Sequence, residues 1–422
     1  MGVRRFLYMR VIVINTGTEL LLGDVLNSHL SFIAREIFPL GLRIDRQITV
    51  PDGEAIRDAI AESLGAAEII FITGGLGPTT DDITREIAAD LLGLKLEHDP
   101  AILRSIQERA ARRGFRLTDR VARQADVPEG ATVLPNEHGS APGLYLPANA
   151  AKRRPHLFLL PGPPRELHPM FGSFVLPILR TIIQDKSTTE RRMFRIAGIG
   201  ESLVEDAVGA DLLALPGLEL GYCARPGEMD LRLIGEASVL DRAERIVKEK
   251  LGTAIFSTDA SDLEEVVVRL LIERKQTLAI AESCTGGYLA HRITNVPGAS
   301  AVFLGGWITY SNEAKIEMLG VAARLIENHG AVSKQVAQAM AEGARARAQS
   351  DFALATTGIA GPSGGSKEKP VGTVFIALAA RDQPPSVKKG FFPDDRPTFK
   401  ELATQAALEM LRRRLRDLPC AV

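Results

Sequence analysis

Short apolar runs alternate with stretches of helical periodicity over the first part of the chain. Val11–Ile14 and Glu68–Thr73 are almost continuously apolar, which is typical of strands buried on both faces. A further strand is predicted at Leu42–Val50, and helices are predicted at Leu26–Ile37, Gly53–Leu64 and Ile83–Leu92. This order predicts a mostly parallel sheet between two helical layers, with ligands bound beyond the carboxyl ends of its strands.

The rest of the chain shows two different patterns of predicted elements. Arg192–Ser257 reads strand, helix, strand, strand, helix, which predicts a small α+β module followed by a linker at Ser257–Ser261. From Asp262 onwards, predicted strands and helices alternate again. The strands are predicted at Thr277–Ala281, Phe303–Tyr310, Phe352–Thr357 and Val371–Ala379. The helices are predicted at Leu263–Arg274, Gly286–Ile293, Ala314–Leu319, Ser333–Gln349 and Thr398–Leu418. We therefore expect two three-layer α/β domains with mostly parallel sheets, at residues 9–173 and 260–420, joined by an α+β module at residues 190–257.

Composition narrows the class of protein. The 422 residues carry 51 basic and 52 acidic side chains and only 5% aromatics, which argues against a nucleic-acid or membrane-surface binder. Cys223, Cys284 and Cys420 are too few and too widely spaced for a disulfide framework or a thiolate zinc cluster. No apolar run approaches the roughly 18 residues of a membrane span, and no secretory signal is recognised. A cytoplasmic protein is expected.

Three polar stretches in the last domain follow predicted strands, namely Ala281–Gly287, Thr309–Lys315 and Thr356–Gly365. Because each begins where a strand ends, we expect them to meet at one edge of the sheet. Ser283 would lie beside the free N–H groups of a helix start, which can hold an oxyanion. Lys315 is the nearest candidate base, provided that its pKa is lowered, and Tyr310 can relay or orient the proton.

Spacing alone favours plainer interpretations of the same residues. Ser283 would be a helix N-cap, Lys315 a surface lysine, and Tyr310 a core residue with a solvated hydroxyl. Cys284 is a rival nucleophile because a helix start lowers the pKa of a thiol, although cysteine at such a position is more often a small buried filler.

These three stretches closely resemble the C-terminal domain of the CinA (competence/damage-inducible) family over roughly Leu263–Leu418. The resemblance implies hydrolysis of nicotinamide mononucleotide to nicotinic acid mononucleotide and ammonia, without a cofactor. It implies Ser283 as nucleophile, Lys315 as general base, and Tyr310 and Thr357 as supporting groups. Substrate contacts are implied at Thr285, Gly286, Gly287, Asn312, Gly358, Ala360, Gly361 and Arg396. Asp395 and Arg396 match a pair expected at the phosphate, whereas Lys400 stands where relatives often carry arginine.

The first domain has its own candidate site in the loop Thr73–Asp82. Backbone N–H groups at such a turn favour phosphate, although the spacing matches neither a dinucleotide fingerprint nor a P-loop. Glycines here are more often only turn residues. Asp81 and Asp82, with Glu19 and Asp24 from the loop after the first strand, suggest a Mg²⁺ ion bridging phosphate oxygens. The alternative is that Asp81 or Asp82 only caps the helix predicted from Ile83.

This segment resembles the molybdopterin-binding fold found at the front of CinA proteins, through Gly17–Asp24, Thr73–Asp82, Gly139–Gly143 and Leu160–Glu166. Some relatives hydrolyse ADP-ribose with a divalent metal (Mg, Mn or Co). The resemblance implies metal contacts at Asp82 and Asp81, and a nucleotide site at Glu19, Asp24, Asn27, Thr73, Gly74, Gly75, Gly77, Pro78, Thr79, Asp81, Ser140, Gly143 and Gly162. His29 and Ser140 depart from the usual asparagine and threonine.

The middle module resembles the KH-like insert of the same family but lacks the Gly-x-x-Gly loop of RNA-binding KH domains. We interpret it as a spacer and dimer element, and we expect a homodimer without nucleic-acid partners. The seven histidines show no metal-ligand spacing, so no zinc site is expected. The leading hypothesis is a nicotinamide-nucleotide amidohydrolase. The alternative is a non-catalytic nucleotide-binding or competence-associated interaction protein.

Overall fold

The structure is a computed structural model that describes residues 9–112, 114, 118–152, 154–183, 189–381 and 383–418. Cys420 lies outside the described residues. The chain divides into two compact units, residues 1–188 and residues 189–422, which are described separately. Within the described residues, no helix combines the length and the apolar character needed to cross a membrane.

The first unit contains a six-stranded sheet. In chain order its elements are β1 (Val11–Thr16), α1 (Thr18–Leu22), α2 (His29–Ile37), β2 (Ile44–Val50), α3 (Ala55–Leu64), β3 (Ile69–Thr73), α4 (Thr84–Leu91), β4 (Leu96–His98), α5 (Pro100–Arg112), α6 (Asp119–Ala122), β5 (Asp126–Pro128), β6 (Thr132–Leu134), β7 (Gly143–Leu146), β8 (His156–Leu160), α7 (Pro164–Met170) and α8 (Leu176–Ile182). The sheet order is β2-β1-β3-β8-β7-β6, parallel as far as β8 and antiparallel at β7 and β6. Strands β4 and β5 form a separate antiparallel pair.

Strand β1 shows why this sheet needs helices on both faces. All six of its residues are buried. Ile12 and Ile14 join one apolar cluster, whereas Val11 and Val13 join the cluster on the opposite face. A strand with alternate side chains in two cores reads as a continuous apolar run, and the predicted α/β class is confirmed.

Several predicted boundaries in this unit are wrong, and two helix starts show the reason. The helix predicted from Leu26 begins at His29, because Leu26 is 89% exposed and does not belong to a buried face. The helix predicted from Ile83 begins at Thr84. Both starts were placed too early because apolar residues just before a helix mimic its periodicity.

The module at the start of the second unit is entirely antiparallel. Its elements are β9 (Thr189–Ala197), α9 (Glu201–Leu213), β10 (Glu219–Arg225), β11 (Glu228–Glu236), α10 (Ala237–Leu251) and β12 (Ile255–Ser257), with sheet order β10-β11-β9-β12. Both helices bury apolar residues in one cluster with β9 and β11. The predicted linker therefore begins inside a paired strand, since Ser257 belongs to β12.

The last domain follows in the same unit. Its elements are α11 (Leu263–Arg274), β13 (Leu278–Glu282), α12 (Tyr288–Thr294), β14 (Phe303–Ile308), α13 (Asn312–Leu319), α14 (Ala323–His329), α15 (Lys334–Ala348), β15 (Phe352–Gly358), β16 (Thr373–Ala380), β17 (Gln383–Phe391) and α16 (Arg396–Leu415). The order is β14-β13-β15-β16-β17, with the first three strands parallel and the last two antiparallel. Strand β17 was not predicted because two prolines interrupt its pattern, which an edge strand tolerates.

The interior strand β13 separates two cores. Leu278 and Ile280 pack into a large cluster with residues of α11 and α16, and this cluster also contains Ala197 and Phe256 of the module. Ala279 and Ala281 face a second cluster that includes α15. The parallel strands β14, β13 and β15 all end at one edge of the sheet, where the three polar stretches follow.

Candidate active site

Neighbouring strand ends fix the turn that carries Ser283. The backbone N–H of Ser283 donates to the carbonyl of Thr356 at 3.0 Å, and the N–H of Thr309 donates to the carbonyl of Glu282 at 2.8 Å. Three polar stretches that are far apart in sequence therefore meet at one point of the sheet edge.

Ser283 contacts a buried lysine. Lys315, in the first turn of α13, is 1% exposed, and its Nζ lies 3.2 Å from the Ser283 Oγ. The Nζ also donates to the carbonyls of Thr309 at 2.8 Å and Ser311 at 3.3 Å. A neutral amine has two N–H bonds and one lone pair. These carbonyls can take both hydrogens, which leaves the lone pair for the Ser283 hydroxyl.

Burial favours the neutral form of this lysine. Desolvation lowers the pKa of Lys315, against smaller opposing effects of Cys284 and Glu313. The plainer interpretations are wrong: Lys315 is not a surface residue, the N-cap of α12 is Gly287 and not Ser283, and Tyr310 is 61% exposed. The arrangement brings a hydroxyl and a candidate base into hydrogen-bond contact.

Cys284 is the rival nucleophile beside this pair. Its side chain is 5% exposed, and burial raises the pKa of the thiol to about 12. A thiol with that pKa is protonated at neutral pH and therefore weakly nucleophilic, so the structure disfavours Cys284.

An open pocket, here called the rear pocket, lies over Ser283 and Lys315. Predicted residues that line it are Ser283, Tyr310, Asn312, Lys315, Thr357, Gly358, Ala360, Gly361 and Arg396. Cys284, Ala331, Val332, Ile359, Ser363 and Gly364 also line it. Among the described lining residues the only basic side chains are Lys315 and Arg396, and none is a carboxylate, so the Arg396 guanidinium makes the rear pocket cationic.

Side chains in the rear pocket hold its loops together. The Thr357 hydroxyl donates to the carbonyl of Ala331 at 2.9 Å. Arg396 donates to the Tyr310 hydroxyl and, at 2.9 Å, to the carbonyl of Gly361. Thr357 and Tyr310 thus act on loop position in this structure, and Arg396 presents its charge at the pocket wall.

Some predicted residues are not brought to the rear pocket. Thr285, Gly286 and Gly287 do not line it; the buried Thr285 hydroxyl bonds that of Thr356 at 2.7 Å. Asp395 caps α16 by accepting from the Thr398 N–H at 3.1 Å. The Lys400 Nζ lies 5.8 Å from the centre of the Tyr288 ring, also outside the lining.

The expected oxyanion donors at the helix start are already used. The N–H groups of Gly287, Leu289 and Ala290 donate to the Glu282 carboxylate at 3.0, 3.1 and 2.8 Å. The Tyr288 N–H donates to the Thr285 carbonyl at 3.2 Å. Among the described residues, the N–H groups of Cys284 and Thr285 reach no acceptor on another residue, so an oxyanion would have to use these.

Glu282 was missed by the sequence reasoning. The available signal was a carboxylate at the last position of a wholly buried strand, where an unpaired charge is costly and a set of backbone donors is needed.

The front unit has a second pocket, here called the front pocket. Predicted residues that line it are Glu19, Gly74, Gly75, Gly77, Pro78, Thr79, Asp81, Asp82, Ser140 and Gly162. Residues not predicted there are Thr16, Gly17, Asp52, Leu76, Gln124, Ala141, Pro161, Pro163 and Glu166. Gly75 is required: its φ is +68°, and a Cβ would lie 2.0 Å from the Thr84 Oγ1.

Four predicted residues lie outside the lining of the front pocket: Asp24, Asn27, Thr73 and Gly143. The Asn27 amide donates to Asn15 at 3.0 Å, and Asn15 in turn donates to the Thr73 hydroxyl at 2.8 Å. These groups form a polar layer under the loop. Gly143 lies in β7, and the exposed Asp24 ends the turn after α1. The buried His29 bonds the Gly162 carbonyl and does not line the pocket.

Neither aspartate caps α4. Asp82 accepts hydrogen bonds from the backbone N–H of Thr79, at 2.9 Å, and from the Thr79 hydroxyl. The N-cap of α4 is Ile83, and no side chain caps that helix. A hydrogen bond from Thr79 also lowers the pKa of Asp81. The capping alternative is therefore wrong, and both carboxylates belong to the pocket loop.

The front pocket is acidic. Its described lining contains Glu19, Asp52, Asp81, Asp82 and Glu166, but no lysine or arginine. The described residues contain no group of three or more His, Cys, Asp or Glu placed to hold a metal ion. Mg²⁺ commonly binds through one or two carboxylates together with substrate phosphates. The donor set fits a cation that arrives with a phosphate-bearing ligand.

The fold and the pockets define the class of protein. It is an α/β protein in which each α/β domain has a pocket beyond the ends of its parallel strands. Three family models match successive parts of the chain. The "Probable molybdopterin binding domain" matches residues 12–181, the "Damage-inducible protein CinA KH domain" residues 191–257, and the "CinA C-terminal domain" residues 260–415.

Full-length relatives identify the family. A CinA-like protein of Akkermansia muciniphila is 44% identical over 95% of this chain and 96% of its own. A CinA-like protein of Dictyoglomus turgidum is 39% identical over 97% of this chain and 100% of its own. The crystal structure of the competence/damage inducible protein CihA from Agrobacterium tumefaciens is 40% identical, with a TM-score of 0.35, and covers 37% of this chain and 97% of that one. The chain belongs to the CinA family, as its motifs predicted.

Proposed function

We propose that the last domain is an amidohydrolase that converts nicotinamide mononucleotide to nicotinic acid mononucleotide and ammonia. The contact of 3.2 Å between the Lys315 Nζ and the Ser283 Oγ carries this proposal. A lysine that is 1% exposed and has a lowered pKa can be neutral when the serine reacts, as a general base must be.

The proposed chemistry has two halves. The Lys315 amine takes the Ser283 proton while the Ser283 Oγ attacks the carboxamide carbon, which places negative charge on the amide oxygen. The intermediate collapses to a seryl ester as the Lys315 ammonium returns its proton to the departing ammonia. Water, deprotonated by Lys315, then attacks the ester. Its cleavage releases the pyridine carboxylate, and Ser283 regains its proton.

The charge of the rear pocket supports an anionic nucleotide as substrate. Arg396 brings a guanidinium to the wall, and no described lining residue is a carboxylate. Arginine matches the geometry of phosphate oxygens. We propose that Arg396 contacts the phosphate, that the Gly358–Gly361 turn packs against the nucleotide and that Asn312 makes a further substrate contact. No cofactor is needed for this reaction.

Ammonia release from nicotinamide mononucleotide tests this function directly. We expect Ser283→Ala to lower kcat by about 10⁴-fold or more, with nucleotide binding and thermal unfolding unchanged, because only the attacking atom is lost. Cys284→Ala is the matched control and should retain most activity. An active Ser283→Ala variant together with an inactive Cys284→Ala variant would reassign the nucleophile.

The competing function is a non-catalytic nucleotide-binding or competence-associated protein. It predicts nucleotide binding by the wild-type protein without ammonia release at any pH. Calorimetric binding of nicotinamide mononucleotide, measured beside the ammonia assay, separates the two functions. Binding is expected in both cases, whereas ammonia release is expected only of an enzyme.

We propose a second activity for the front domain, the hydrolysis of the ADP-ribose pyrophosphate with a divalent cation such as Mg²⁺, Mn²⁺ or Co²⁺. Its acidic lining supports this, since phosphate oxygens would be repelled there without a cation. Asp81 and Asp82 would hold the ion, which would neutralise phosphate charge. The assay is ADP-ribose turnover with added metal and after chelation; equal rates in both would remove the metal from the proposal.

We further propose that the protein works in the cytoplasm as a homodimer, with small nucleotides and not nucleic acids as its ligands. Sedimentation analysis of the full chain measures the oligomeric state. A monomer at micromolar concentration would exclude the dimer.

A further inference from the structure

Glu282 is a buried carboxylate next to the proposed nucleophile, and the mechanism above does not use it. It is the last residue of β13 and is 1% exposed. Its backbone is held on both sides, because it pairs with Ile308 of β14 and Thr356 of β15. The backbone from which this side chain extends is thus fixed by a paired strand on each side.

The carboxylate spans the Ser283 turn and binds the helix on its far side. Its Oε2 accepts from the N–H groups of Gly287 and Leu289, and its Oε1 accepts from that of Ala290. The turn Ser283–Gly286 is therefore closed at both ends by one side chain. Gly287 itself adopts a φ of +95° and has no side chain with which to cap α12.

The same contacts determine which backbone donors remain for chemistry. With the Tyr288 N–H bonded to Thr285, all four N–H groups from Gly287 to Ala290 are satisfied. Next to Ser283, Cys284 also lines the rear pocket. Within the described contacts, its backbone N–H donates to no other residue, so this N–H remains available to a ligand. Glu282 thus holds the turn in the shape that presents the Ser283 hydroxyl and this N–H together.

We propose that Glu282 is a positioning residue for Ser283: its side-chain oxygens fix the nucleophile turn by tying it to the start of α12. The inference rests on the proposed amidohydrolase function, but it concerns the geometry of the turn and can be tested without the substrate. The proposed role of Glu282 goes beyond stabilising a helix start, because the reactivity of Ser283 would depend on the three hydrogen bonds that Glu282 accepts.

Glu282→Gln is the sharpest variant. The glutamine amide nitrogen cannot accept, so at least one of the three N–H groups loses its partner while side-chain size is kept. A displacement of the reacting group by about 1 Å can cost roughly 10²-fold in rate. We expect kcat for nicotinamide mononucleotide to fall by about 10²-fold, with KM changed by less than about threefold.

The matched control is Glu265→Gln. Glu265 belongs to the capping box of α11, where its carboxylate accepts from the Asp262 N–H at 2.7 Å. The same chemical change at another helix start should leave kcat and KM at wild-type values. Thermal unfolding of both variants shows whether a loss of rate follows a loss of stability.

A second readout separates this inference from the proposed reaction. The rate at which diisopropyl fluorophosphate modifies Ser283, measured by mass spectrometry, reports the reactivity of the serine without nicotinamide mononucleotide. We expect slower modification in folded Glu282→Gln than in wild type and in Glu265→Gln. If wild type is modified at Ser283 but releases no ammonia, the proposed function fails while the role of Glu282 is still tested.

Two results would overturn the proposed role of Glu282. A folded Glu282→Gln variant with wild-type turnover and wild-type modification of Ser283 overturns the proposal. If that variant does not fold, Glu282→Asp, which keeps the charge but shortens the reach, takes its place with the same expectations. Loss of the fold in both variants would also overturn the proposal, in favour of a purely structural carboxylate.

Discussion

The front and rear pockets lie beyond the ends of parallel strands in their own domains, yet their charges are opposite. The described lining of the front pocket holds five carboxylates and no lysine or arginine, whereas that of the rear pocket holds a lysine and an arginine and no carboxylate. Similar sheet architecture therefore places both pockets, and the loop residues decide the chemistry. An acidic pocket requires a cation partner for phosphate, and a cationic one can bind phosphate unaided.

Among the side chains that set the charge of the two pockets, the largest effect is predicted for the buried Lys315 of the rear pocket. Lys315→Met should lower kcat for nicotinamide mononucleotide by about 10³-fold, because the base is lost, and should leave ADP-ribose turnover unchanged. It should also raise Tm, since an apolar side chain removes the desolvation cost of a buried amine. Calorimetry and the ammonia assay measure both. The exposed Lys334→Met is the control, and retained activity in Lys315→Met would break the proposed mechanism.

The pH dependence follows from the lowered pKa of Lys315. Between that lowered value and the ordinary lysine value of about 10.4, the unfolded chain binds more protons than the folded one. The contribution of Lys315 to stability therefore rises with pH across this window and is least favourable below it. We expect the gain in Tm of Lys315→Met to shrink as pH rises, and kcat/KM of wild type to increase with pH. A gain in Tm that grows with pH would contradict the assignment.

In the front pocket, Asp82→Asn should reduce metal-dependent ADP-ribose turnover by about 10–100-fold, as expected for losing a charged contact worth about 1.5–3 kcal/mol. Ammonia release from nicotinamide mononucleotide should not change. Asp24→Asn, which alters a carboxylate outside the pocket lining, is the matched control and should behave as wild type. Equal loss of turnover in both variants would show that the front pocket is not where the metal acts.

The rear pocket should lose phosphate recognition in Arg396→Gln, with KM for nicotinamide mononucleotide raised about 10-fold and kcat nearly unchanged. Because Arg396 is exposed, added salt should raise the wild-type KM and affect the variant much less. Nicotinamide riboside, which has no phosphate, should show no difference between the two proteins. A KM that is insensitive to both the variant and salt would place the phosphate elsewhere.

The smallest effect is expected for Tyr310→Phe. The variant removes the hydroxyl that accepts from Arg396 but leaves the ring, so KM should rise by about threefold without loss of kcat. Combined with Arg396→Gln it should add almost nothing, because both changes break one contact. A large fall in kcat would instead make Tyr310 a proton relay.

The meeting of Ser283 and Lys315 could be predicted because it depends on strand ends. Ser283 follows the buried strand β13, and Lys315 lies in the helix that follows the neighbouring parallel strand β14, so both come to the same sheet edge. The burial of Lys315 and its pKa shift could not be predicted from spacing, since a lysine in a first helical turn is usually solvated.

The errors arise where a side chain bonds backbone groups across a turn. Glu282 takes the N–H groups that the sequence pattern assigned to an oxyanion, and Asp82 bonds Thr79 instead of capping α4. Thr285, Gly286 and Gly287 belong to the same motif as Ser283 but lie outside the pocket lining. The order of residues shows which side chains and N–H groups lie in the same turn. It does not show whether each of them faces the pocket or another part of the backbone.

The shared core of the second unit has a practical consequence for making a minimal fragment. Phe256, from the last strand of the module, is 2% exposed within the cluster that supports β13, and Arg195 of the module bonds Asp262 at the start of α11. A truncation at residue 259 would remove Phe256 from the apolar cluster that supports β13, and it would remove Arg195, which bonds Asp262. Expression from about residue 189 keeps both contacts, so low activity or aggregation of a shorter fragment would reflect the truncation and would not test the proposed activity.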